Sequence, residues 1–252
     1  RRLILTKSVS AGAGYWAVGN EYRTEIDSFV KVTALGANGA ATGGSIEGFR
    51  LEQNDGAVLN FGSFDANSAD AVLRYYGSTN AYSWSLKKVE DRLGNAVVFA
   101  YKHCFNGKHN YITNTTGRPN GELLLVGVDY SGNAAAGVSA PWGVRFTYAP
   151  SVESVGAAPV RADANVGFRA GGESELIRRL ESVEIGEPVS GVLSAVRRYS
   201  LSYTQSPQTS RSLLMEVRGQ FRENSAAPWN EAPATVLHYR DDGGLQIPEP
   251  AN

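Results

Sequence analysis

Residues 84–101 read Trp84-Ser85-Leu86-Lys87-Lys88-Val89-Glu90-Asp91-Arg92-Leu93-Gly94-Asn95-Ala96-Val97-Val98-Phe99-Ala100-Tyr101. Trp84 and Leu86 before the centre, and Val97, Phe99 and Tyr101 after it, recur at every second position, the spacing of strands with one apolar face. Between them lies Asp-x-x-Gly-Asn. The Asp91 carboxylate can accept hydrogen bonds from the backbone ahead of it, Gly94 reaches positive φ without steric cost, and Asn95 tolerates a similar geometry. The stretch is therefore a β-hairpin whose turn is Asp91, Gly94 and Asn95.

The same grammar runs outward in both directions. Phe49 to Glu52 and Val58 to Phe61 flank Gln53-Asn54-Asp55-Gly56, where the Asp55-Gly56 step signals a second hairpin turn. Leu123 to Tyr130 and Trp142 to Tyr148 form the arms of a third hairpin, joined by a small-residue loop over 131–141. Further strands are expected at Arg2 to Thr6, Tyr22 to Val32, Leu176 to Ile185, Val196 to Tyr203, Ser212 to Phe221 and Val236 to Tyr239, with a short helix at Leu213 to Val217 as the alternative for the Ser212 segment. Residues 149–172 read as irregular, and Asp-x-x-Gly-Asn recurs at Asp129 to Asn133 as a turn without a following strand. The pattern predicts an all-β domain over 1–240, a curled antiparallel sheet of many short strands and hairpins, with a Pro/Gly-rich tail over 241–252.

Several of these stretches resemble the RHS/YD-repeat superfamily, in particular the amino-terminal region shared by SpvB-type virulence proteins and the B component of bacterial toxin complexes. The residues that carry the resemblance are Tyr22 to Phe29, Phe49 to Gly56, Trp84 to Tyr101, Val196 to Tyr203 and Arg211 to Leu214, in the family's order. Strict internal periodicity is missing, which fits the irregular amino-terminal part of such a shell rather than its YD arrays. The resemblance implies a shell-like, non-catalytic wall that encloses a toxin polypeptide before delivery. Its implied partners are the remaining shell segments of a parent polypeptide or the toxin-complex subunits, together with the toxin cargo. Its implied setting is secreted and bacterial, with a cytoplasmic stage before export.

Composition narrows the classes further. The 252 residues carry 28 glycines, 10% aromatics and only 19% charged residues, a balance suited to many short strands and turns. A formal net charge of -1 gives no electrostatic footprint for nucleic acid. No run approaches the ~20 apolar residues of a membrane-spanning helix. The single cysteine, Cys104, excludes an internal disulfide framework. The chain starts at Arg1 and reads as a fragment of something longer.

No residue pattern demands chemistry, so no catalytic, cofactor or metal site is assigned. His103, Cys104 and His109 are the densest set of metal-ligating types, but His103 and Cys104 point to opposite faces of a strand, and the histidines read as surface residues. Gly12-Ala13-Gly14 lacks the helix that a dinucleotide site needs. Glu25 and Asp27 alternate onto one strand face without a second carboxylate motif. Two rival functions remain. A carbohydrate-binding β-sandwich would use Trp16, Trp84, Trp142 and Trp229 as stacking platforms, and an ADP-ribosyltransferase would use Glu173 and Glu175 of a Glu-x-Glu turn. A shell wall is expected to mix aromatic, small and polar residues on both sheet faces, and its end strands to expose unpaired edges.

Overall fold

The computed structural model describes residues 2–26, 28–74, 80–104, 122–152, 161–169, 172–190 and 192–239. Its strands are β1 (Leu3–Lys7), β2 (Glu21–Thr24), β3 (Lys31–Leu35), β4 (Gly48–Glu52), β5 (Val58–Gly62), β6 (Val72–Leu73), β7 (Ser83–Trp84), β8 (Leu86–Glu90) and β9 (Ala96–Cys104). They continue as β10 (Glu122–Gly132), β11 (Trp142–Ala149), β12 (Asn165–Arg169), β13 (Gly172–Leu176), β14 (Arg179–Val189), β15 (Val192–Gln205), β16 (Ser212–Phe221), β17 (Asn230–Glu231) and β18 (Thr235–Val236). Among the described residues there is no α-helix.

Fourteen strands make one open antiparallel sheet in chain order, β1-β2-β3-β4-β5-β8-β9-β10-β11-β14-β15-β16-β17, with β18 also on β16. Each strand pairs with its neighbour in sequence, the arrangement that tight turns permit without crossovers. Two small ladders, β6 with β7 and β12 with β13, leave this path. The all-β curled meander is the fold read from the hairpins.

The predicted turns lie together along one rim. Asp91 Oδ1 accepts from the Leu93 and Asn95 amides at 2.8 and 2.9 Å, Asn95 Nδ2 donates to Asp91 Oδ2 at 2.8 Å, and Gly94 has φ +86°. Asp55 Oδ1 accepts from the Ala57 amide at 2.9 Å and Gly56 has φ +87°. The two turns touch, since a Cβ on Gly56 would meet the Arg92 side chain. Asn133 joins them, donating from Nδ2 to the Leu93 carbonyl at 2.9 Å.

A recurrent device closes the opposite ends of successive hairpins. The Tyr101 hydroxyl donates to the Leu86 carbonyl at 2.7 Å, Tyr148 to Leu125 at 2.8 Å, Tyr203 to Leu180 at 2.7 Å and Tyr239 to Leu214 at 2.9 Å. In each, a tyrosine on or just beyond a later strand reaches back to a leucine on an earlier one, a net gain of about 1 kcal/mol per bond. Irregularities of register sit beside them, between Asn60 and Phe61, Leu125 and Gly127, Thr147 and Tyr148, and Ser202 and Tyr203. Bulges bend and twist a sheet, so their repetition at one rim accounts for the curl.

Several local expectations change. Leu213 to Val217 lies within strand β16, because its pairing with β15 supplies the hydrogen bonds a helix would have made internally. Tyr22 to Val32 is two strands, β2 and β3, reversing near Phe29 at φ +55°. Within 149–172, Asn165–Arg169 is ordered against Gly172–Leu176. Asp129 belongs to the β10 ladder, so the second Asp-x-x-Gly-Asn is strand for most of its length. Trp84 pairs with Val72 in the β6 and β7 ladder rather than extending β8. Asp27, Tyr75, Tyr76, His109 and the tail over 241–252 lie outside the described residues.

The two sheet edges differ. The Tyr15 hydroxyl donates to the Leu3 carbonyl on β1, and β16 is covered by two-residue strands β17 and β18 separated by Pro233. Short, proline-broken edges resist addition of further strands. The aromatic strand Tyr199 to Tyr203 is interior, between β14 and β15's partner β16.

Candidate interaction surface

Cross-strand partners share a face, so the registers show what each side of the sheet presents. Leu5, Tyr22, Val32, Leu51, Leu59, Val89, Val97, Tyr130 and Trp142 are successive partners across nine strands, one unbroken apolar row. On the same face run Phe99, Val128, Val144, Ile185, Arg197 and Phe221, then Phe146, Val183, Tyr199 and Gly219. The other face carries Lys7, Glu21, Thr33, Arg50, Asn60 and Lys88, and farther along Arg145, Glu184, Arg198, Gln220 and Glu231. Ion pairs and hydrogen bonds lace this polar side, with Arg145 to Asp129 and Arg198 to Glu184 both at 2.6 Å and Gln220 to Glu231 at 3.0 Å. The faces are thus segregated, not mixed as expected. The bulges had hidden this by shifting the alternation within single strands.

The apolar face has a buried centre only near its start. Tyr22, Val32 and Ala34 are buried, with Leu3, Leu5, Val30, Ile46, Phe49 and Leu51 packed on them. Beyond Ala195 no described residue is buried. Two depressions mark the face. The first, of about 730 Å³, is walled by Leu3, Trp16, Ile46, Phe49, Phe61 and Trp84. The second, of about 480 Å³, lies between Trp142, Tyr199 and Phe221 and holds Arg197.

A polar lock fixes the ladder of β12 and β13 to the main sheet. Glu122 Oε1 accepts from the Ile177 and Arg178 amides at 3.1 and 3.0 Å, and Arg178 Nη1 donates to Glu122 Oε2 at 2.6 Å. Arg178 Nε donates to the Ser151 carbonyl at 3.2 Å. The two side chains are 3% and 1% exposed, so this is a fully buried, satisfied pair. Nearby, Arg161 grips Asp163 with two bonds of 2.8 and 2.7 Å, and Asp163 accepts from the Ser212 amide and hydroxyl.

These contacts give stability a pH dependence of definite sign. The bidentate Arg161 guanidinium holds the Asp163 carboxyl well below the usual carboxylate range, helped by Ser212. Burial pushes the His103 imidazole below its ordinary value, with Asp70 opposing and Arg74 assisting. His103 is half-buried with Nδ1 unpartnered, not a surface residue. A base with a lowered folded pKa is more protonated when unfolded, so stability falls as pH drops below about 6.5. A carboxyl with a depressed folded pKa stabilises above about 4 and loses that contribution below it. Urea midpoints are expected to decline from pH 7 to pH 5 and again below pH 4. His103→Gln should flatten the first decline and leave the second.

The tryptophans do not form a shared platform. Trp84 packs edge-on against Phe49 at 4.9 Å, and Trp229 is held by the Arg198 and Arg222 guanidiniums at 4.8 and 4.3 Å from its ring. Trp16 and Trp142 are 59% and 44% exposed and line different depressions. Glu173 and Glu175 are ladder positions of β13, opposite Phe168 and Val166. Among the described residues no three His, Cys, Asp or Glu side chains come together to hold a metal, and no helix is long and apolar enough to cross a membrane.

No family model and no curated protein matches the chain. Solved structures do. The chain is similar to the crystal structure of TcdB2-TccC3 with Cdc42 (TM-score 0.65, 17% identity), covering 95% of this chain and 13% of that one. It is similar to the N-terminal domain of the effector protein SpvB from Salmonella typhimurium (TM-score 0.56, 16% identity), covering 94% of this chain and 78% of that one. The Photorhabdus luminescens Tc holotoxin pore gives TM-score 0.62 at 16% identity, over 95% of this chain and 12% of the other. The chain thus spans about an eighth of the toxin-complex chains and most of the SpvB domain. It has the fold of the proteins its sequence resembles.

Proposed function

We propose that the chain is a non-catalytic wall segment of a shell that encloses a polypeptide. The observation that carries this is the two-faced single sheet, whose polar side is finished with cross-strand ion pairs and whose apolar side lacks a second described layer over most of its width. A sheet buries its apolar face against something, and a surface patch of this extent is a contact surface. The fold shared with toxin-complex proteins and SpvB supports a shell wall as the setting. The partners are then the remaining shell segments and an enclosed toxin polypeptide, in a secreted bacterial assembly.

The test is limited proteolysis of the full-length polypeptide that contains this chain, with its enclosed polypeptide in place. The enclosed part should persist while the same polypeptide made alone is degraded, and unfolding the sheet should abolish the protection. Equal rates of cleavage in the two settings would refute the reading. Consumption of NAD that Glu175→Gln removes would instead establish the transferase.

A further inference from the structure

Arg197 is out of place. It is the one charged residue in the three apolar rows, with Ile185 and Phe221 as its cross-strand partners. It is exposed, and no hydrogen bond or ion pair engages it among the described residues. The surrounding arginines are all occupied: Arg145 by Asp129, Arg198 by Glu184, Arg218 by Glu216 and Glu231, and Arg222 by the Ala195 carbonyl and the Trp229 ring. Around Arg197, Trp142, Tyr199 and Phe221 are 44%, 38% and 49% exposed and wall the 480 Å³ depression.

A cation left on an apolar surface costs little while water reaches it and much once it is covered without an anion. Whatever covers this face therefore has to bring an acceptor to Arg197 and apolar bulk to the three rings. A guanidinium presents a planar fork that matches a carboxylate. Glu223 also borders the depression, exposed and not paired with Arg197, which disfavours a compact multiply charged anion.

We propose that this depression docks a polypeptide segment in which one acidic side chain, held by Arg197, is flanked by aromatic or aliphatic residues seated against Trp142, Tyr199 and Phe221. Under the shell reading, on which the source of the segment rests, the segment belongs to the enclosed polypeptide. The docking chemistry itself does not depend on that source.

The probe is a fluorescein-labelled unfolded peptide in which leucine and phenylalanine alternate with serine around a single glutamate, titrated into the 252-residue chain and read by anisotropy. Its glutamine counterpart should bind about tenfold more weakly, the value of one charge-assisted contact. With Arg197→Gln the two peptides should bind alike, and with Arg197→Lys most of the preference should return, so the double-mutant cycle isolates the pair. Trp142→Ala should weaken both peptides equally. Arg197 is exposed, so these variants should keep the wild-type urea midpoint.

Equal affinity of the glutamate and glutamine peptides for the unaltered chain would overturn the proposal, as would a preference that survives Arg197→Gln. Displacement of the peptide by maltoheptaose would overturn it in favour of a sugar site. A dimer that Arg197→Gln dissociates would overturn it in favour of a second copy. Loss of proteolytic protection with peptide preference intact would refute the shell and keep the groove, whereas the converse would keep the shell and refute the groove.

Discussion

Glu122→Gln is expected to lower the stability of the chain by about 3–5 kcal/mol, the cost of breaking a buried ion pair by neutralising one of its members. The carboxylate serves three donors at once, the Ile177 amide, the Arg178 amide and the Arg178 guanidinium, and the pair is almost wholly removed from water. It ties the start of β10 to the residues leading into β14, across strands distant in sequence. Urea denaturation should show the midpoint falling with the slope retained. Replacing both partners together, Glu122→Met with Arg178→Leu, should recover much of the loss, since apolar substitutes avoid the desolvation cost. A loss under 1 kcal/mol in the single variant would mean that water reaches the pair.

The second large effect is expected at Gly186, in the bulge between β14 and β15. A Cβ there would lie 2.1 Å from the Ser194 carbonyl oxygen and 2.6 Å from Ala195 Cα, both backbone atoms that cannot swing aside. Gly186→Ala should therefore separate β14 from β15 locally and cost about 3 kcal/mol, the upper end of overpacking. Its partner across the sheet, Gly143, abuts the Asp129 and Arg145 side chains and the Pro188 ring at 2.7, 3.1 and 3.1 Å, none of them backbone, so Gly143→Ala should cost less. Similar midpoints for the two variants would contradict this distinction.

The hairpins were legible in the sequence because their signals are local. Asp91, Gly94 and Asn95 and the Asp55-Gly56 step act within five residues of themselves, and strands of alternating character flank them. What was hidden depends on register. The unbroken row from Leu5 to Trp142 exists only once nine strands are aligned, and the bulges at Leu5 and Tyr130 shift the alternation that a single strand displays. Arg178 and Glu122 are 56 residues apart in sequence, so nothing local announces their pair. The tyrosine pins at Tyr101, Tyr148, Tyr203 and Tyr239 recur at unequal intervals, so no sequence period reveals them. Arg197 stands beside Arg198 in the sequence. The pleat sends one to the polar ladder and the other to the apolar face, and only the pairing partners show which.

The segregation of faces is the claim on which the shell reading stands. It can be measured by placing single cysteines at Val128 on the apolar face and Ser200 on the polar face, in a Cys104→Ser background, and labelling with a bulky polymer-linked maleimide. In the isolated 252-residue chain both positions should react. In the full-length polypeptide the account predicts that Ser200→Cys still reacts at that rate while Val128→Cys is shielded, and equal labelling of the two would contradict it.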